Sequence, residues 1–142
     1  MEKFRISDEL QSFIDWDNIM KMGRHAGGHD EQMKGLFKNT KLIGHWNEGD
    51  WQGTVATCVQ LEDGRFVIYN DYYGSCSGCD AWEGASDEAA RKMCINLANG
   101  AYIFNNLEDV KDFLKSKDEG NCSWNKEDVK EGLLNSIYKN NV

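Results

Sequence analysis

Two cysteines three positions apart, Cys76 and Cys79, stand in the stretch YGSCSGCDAW (Tyr73–Trp82), where Gly74 and Gly78 let the backbone turn tightly enough for both sulfurs to face one point. Three chemistries fit this spacing. A zinc knuckle takes two thiolates at this separation plus two further ligands, and the chain offers Cys58, Cys94, Cys122, His25, His29, His45 and neighbouring carboxylates. A thioredoxin-like redox pair uses the same spacing but opens a helix within a βαβ unit, whereas this motif follows an antiparallel hairpin pattern. In the third reading, a glycine-rich turn carries two inert thiols packed as small hydrophobes. A single Cys-x-x-Cys, with no second one at ribbon spacing, leaves all three open. Cys94 recurs with Ala90, Met93 and Leu97 at helical spacing, and Cys58 lies in a β-rich run, so both read as core. Cys122 falls in the loop Lys117–Trp124 and reads as a surface thiol. His25 and His29 have the i, i+4 spacing of a helical metal pair, but Gly27 and Gly28 between them oppose a helix.

The elements that must position this loop follow from periodicity. The runs TVATCVQL and RFVIYNDYY are joined by Glu62-Asp63-Gly64, whose Asp-Gly pair is a strong hairpin signal. If Leu61 faces Phe66, the extended register brings Cys76 near Trp51, Cys79 near Glu48 and Trp82 near His45. His45 is therefore the expected third metal ligand, and a surface imidazole hydrogen-bonded to a carboxylate is its alternative. Ser86 caps a helix through Leu97 that ends at Asn99-Gly100, and Ala101–Phe104 reads as a short strand. Asn106 and Asn125 each start a further helix. Upstream, Ser7 caps a helix carrying Leu10, Phe13 and Ile14; the pattern is interrupted near Asp15–Asn18 and resumes through Ile19, Met20 and Met22. A short helix with Met33, Leu36 and Phe37 follows, then a Gly- and Trp-rich stretch, Gly44–Gly53. The expectation is one α+β domain over 1–142: a small antiparallel sheet, with a central hairpin about 54–73 and a short strand about 101–104, and helices packed mainly on one face.

Composition agrees, with 142 residues, 40% hydrophobic and 28% charged, as in a soluble globular domain. No run of about 18 apolar residues is present, and the opening MEKFRISDEL lacks a signal-peptide core, so a cytoplasmic location with reduced thiols is expected. The formal net charge of −8 is concentrated: Leu42–Ala90 holds nine acids and one base, Arg65, while the flanks hold fifteen of each sign. A solvated acidic surface is the plain explanation. The same segment also holds six of the ten Trp and Tyr residues, and such rings with one sign of charge suit docking to a basic partner. The partner-binding candidates are Glu48, Asp50, Trp51, Asp80, Trp82 and Glu83. Direct nucleic-acid binding is disfavoured by that field.

The chain carries no P-loop, dinucleotide fingerprint or HExxH, and GSCSG lacks placed triad partners. With its GDWQGTVATCVQL, YGSCSGCDAW and AYIFNNLEDVKDFL stretches, it resembles small proteins encoded by phages and mobile elements of Gram-positive bacteria, in which a GSCSGCD-type loop follows a hairpin. The resemblance covers roughly Gly49–Leu114. By its origin it implies a counter-defence role like that of the type II anti-CRISPR proteins, small acidic inhibitors of Cas9; no inhibitory residue is carried over. Two functions are therefore expected. The first is a non-catalytic inhibitor that binds a basic groove of a host nucleic-acid enzyme such as Cas9, with zinc as a structural cofactor shaping the loop. The alternative is a small-molecule (nucleotide-signal) binder or a Cys-dependent enzyme that uses the GSCSGC loop.

Overall fold

Gly53–Gln60 contains no charged residue, while Phe66–Tyr73 turns polar only at Asn70-Asp71. In the computed structural model, which describes residues 8–21, 29–49, 53–73, 86–116, 124 and 127–140, these runs are the two central strands of a four-stranded antiparallel sheet. In chain order the strands are β1 (Lys41–Asn47), β2 (Gly53–Gln60), β3 (Phe66–Tyr73) and β4 (Tyr102–Phe104), and they lie side by side in that order. The β2–β3 connection is the expected hairpin. Its register puts Gln60 opposite Phe66, one residue from the expected Leu61. The cause is the turn: the Leu61 N–H donates to the Arg65 carbonyl at 2.8 Å and Gly64 adopts φ +95°. A three-residue loop ending in a left-handed glycine closes this way.

The helical elements are a 3₁₀ turn (Asp8–Phe13), α1 (Trp16–Lys21), α2 (His29–Lys34), α3 (Asp87–Gly100), α4 (Leu107–Lys115) and α5 (Glu127–Asn140). Ser86 and Asn106 cap α3 and α4 as their spacing predicts, accepting from the N–H groups of Ala89 at 3.1 Å and Asp109 at 2.9 Å. Asn125, Ser7 and Met22 lie outside the described residues. The N-terminal pattern breaks at Ile14 because Ile14 forms a bridge with Phe37, and the Asp15 N–H donates to the Leu36 carbonyl at 2.8 Å. For the same reason Leu36 and Phe37 lie beyond the end of α2.

Side chains alternate across a strand, and here the alternation feeds two cores. Val55, Val59, Val67, Tyr69 and Ile103 pack with the N-terminal elements, Met33 of α2 and the Ala90, Cys94 and Leu97 face of α3. Ala56, Cys58, Ile68, Tyr102 and Phe104 face the other way, onto Val110 and Phe113 of α4, Leu133 and Ile137 of α5, and Trp124. The helices thus divide between the two faces instead of collecting mainly on one. This explains why Gly53–Val59 is buried throughout: a strand covered on both sides needs no polar alternation.

The stretch around Gly44 is a strand of its own. It was hidden because a bulge between Leu42 and Gly44 breaks the alternation. Its outer edge is covered by α5. The His45 N–H donates to Ser136 Oγ at 2.8 Å, and that hydroxyl donates to the His45 carbonyl at 2.8 Å. This satisfies groups that an open edge would present to other chains. The helix approaches closely because two contact positions are glycine: a Cβ on Gly44 would fall 2.7 Å from Ile137 Cγ1, and one on Gly132 would fall 2.4 Å from the Trp46 indole. Among the described residues no helix is long and apolar enough to cross a membrane.

Candidate functional site

The acids that are contiguous in sequence separate in the fold. Glu62 and Asp63 occupy the β2–β3 turn, whereas Glu48 and Asp71 lie at the other end of the sheet, beside the Gly53–Tyr73 pair. The eight residues of β2 put about 26 Å between the two ends. That is about three Debye lengths at physiological salt, so the ends act as separate electrostatic surfaces.

Arg65, the one base in the acidic segment, belongs to the turn end. Its guanidinium bonds Asp63 Oδ2 at 2.8 Å and also reaches Glu9 of the 3₁₀ turn. The side-chain hydrogen bond from Arg65 holds the Asp63 carboxyl below its ordinary value, and the bonds the guanidinium donates to Asp63 and then Glu9 hold it above its own. Asn39 Nδ2 donates to Glu62 at 3.1 Å. The charge at this end is therefore partly neutralised and tied into local structure.

The opposite end is built differently. Glu48 closes the β1–β2 turn: its Oε1 accepts from the Thr54 N–H at 2.9 Å, and its own N–H donates to the Thr54 carbonyl at 3.0 Å. Gly53 makes room for that carboxylate, since a Cβ there would sit 2.6 Å from Oε1. The Asp71 carboxylate accepts from the Tyr72 N–H at 3.0 Å. Both acids satisfy backbone donors. Tyr72, opposite Thr54, is 53% exposed, the most exposed large hydrophobic side chain among the described residues. The C-terminus of α3 runs through Ala101 into β4, which pairs with the turn half of β3, and Asn99 holds Gln11 at 2.9 Å. The first-turn acids of the 14-residue α3, Asp87 and Glu88, are exposed.

His45 sits within β1, opposite Thr57, and its Nδ1 lies 2.9 Å from Thr57 Oγ1. The expected pairing with Trp82 assumed that the hairpin ladder continues through His45. Instead the chain turns back after Glu48, so His45 borders β2 and its backbone is held by Ser136. Its neighbour Trp46 leans on α5 at Gly132. Cys58 and Cys94 are fully buried in opposite cores, and burial pushes the Cys58 thiol far above its ordinary value. Such thiols are poor nucleophiles and poor ligands. Cys76, Cys79, Asp50, Trp51, Asp80, Trp82, Glu83, His25 and Cys122 lie outside the described residues, as does the side chain of His29, which opens α2. Among the described residues no group of three or more His, Cys, Asp or Glu side chains could hold a metal ion. The zinc expectation therefore rests on Cys76 and Cys79, and the register that was to bring His45 towards them does not form, because β1 pairs with β2.

Asp71 and Tyr72 were not among the candidate contacts. Their signal was present in FVIYNDYY, where Asn70-Asp71 interrupts the apolar run near the open end of the hairpin. Comparison with protein-family models, with curated proteins and with solved structures finds no match to this chain.

Proposed function

We propose that the protein is a small acidic inhibitor of phage type that acts by protein–protein contact, without catalysis. Its docking surface is the end of the sheet carrying Glu48, Asp71 and Tyr72, and its target is a basic groove on a host nucleic-acid enzyme such as Cas9. The observation that supports this reading is the separation of charge. The net charge of −8 lies within Leu42–Ala90, and the topology leaves that segment's single base at the opposite end of the hairpin. An exposed aromatic ring beside two acids matches the composition of interface centres, where rings anchor and charge steers. Asp50, Trp51, Asp80, Trp82 and Glu83, the other expected contacts, lie outside the described residues. Zinc on Cys76 and Cys79 would shape the loop that follows β3 and has no reactive role.

The test compares two sets of charge-neutral variants against the partner retained from host extract and then purified. Glu48→Gln with Asp71→Asn keeps both backbone hydrogen bonds but removes two charges; Glu62→Gln with Asp63→Asn removes the same number at the turn. The first pair slows association several-fold at low salt, an effect that fades near 1 M salt, where the Debye length is about 3 Å. The second pair leaves the rate within about twofold. Equal responses from both pairs would overturn the assignment of the docking end. A chain that retains no basic protein from the host would remove the inhibitor reading itself.

A further inference from the structure

We draw no further inference here: the strongest candidate, the patch on the α4–α5 face where the Lys111 and Lys115 ammonium groups lie 5.2 and 5.7 Å from the exposed Tyr138 ring, has Glu108 and Asp112 beside the same charges, and nothing in the structure shows what covers it.

Discussion

Whether Trp46 belongs to the core or is free to anchor a partner can be decided by one methyl group. In Gly132→Ala the new Cβ would stand 2.4 Å from Cε2 and Nε1 of the Trp46 indole, where ordinary contacts are about 3.5–4.0 Å. Ring and helix must separate by about 1 Å. Neither is free to do so, since Ser136 ties α5 to the His45 backbone and Ile137 lies against Gly44. Overpacking of this kind costs about 1–3 kcal/mol, against about 1 kcal/mol that alanine gains over glycine inside a helix. The expected net effect is a loss of up to about 2 kcal/mol, seen as a lower urea midpoint with an unchanged slope. Gly100 is the control: it closes α3, a Cβ there would meet nothing within 4 Å, and Gly100→Ala is expected to be neutral or up to about 1 kcal/mol stabilising. A double-mutant cycle completes the argument. In a Trp46→Ala background, itself about 2 kcal/mol less stable because a half-buried ring is lost, Gly132→Ala loses its clash and becomes neutral or stabilising. If Gly132→Ala has the same effect in the parent chain and in the Trp46→Ala background, Trp46 does not pack on α5, and the close approach of helix and edge strand is wrong.

Other outcomes follow from the same geometry. Iodoacetamide at neutral pH leaves Cys58 and Cys94 unmodified in the native protein and labels them after denaturation, as peptide mapping would show; native-state labelling of either would contradict its core position. Protein purified without chelator or added metal contains about one zinc per chain by elemental analysis, and less than about a tenth of an equivalent would end the zinc proposal. Because the folded-state pKa of Asp63 is depressed by Arg65, its stabilising contribution is present above its unfolded value near 3.8 and disappears as pH falls through the lower folded value. Asp63→Asn therefore lowers stability at neutral pH, by no more than about 1 kcal/mol because the pair is solvent-exposed, and its stability curve converges with that of the parent chain in strong acid.

The parts of the fold that could be read in advance are those where one local signal suffices. Ser86 and Asn106 cap their helices because a short oxygen-bearing side chain ahead of an apolar-periodic run has one good use there. The hairpin was equally legible, but its register was not, because a single left-handed Gly64 changes which residues oppose each other. Coverage of both faces shows in β2 as seven buried positions without a charge. What resisted local reading was everything that depends on a second element: the break at Ile14 on Phe37, and β1 on the glycines through which α5 approaches.

The candidate site shows the same limit with more consequence for function. The sequence places nine acids between Leu42 and Ala90, which invites treating them as one face. Strand geometry makes that impossible, because a hairpin sends residues near its turn and residues near its open end in opposite directions, here about 26 Å apart. Glu62 and Asp63 are then held by Asn39 and Arg65. Glu48 and Asp71 accept from the backbone N–H groups of Thr54 and Tyr72, which are uncharged donors. A surface that steers a basic partner needs net charge more than it needs acids, so the open end of the hairpin, with Tyr72 exposed beside it, is where substitutions should change association and the turn is where they should not.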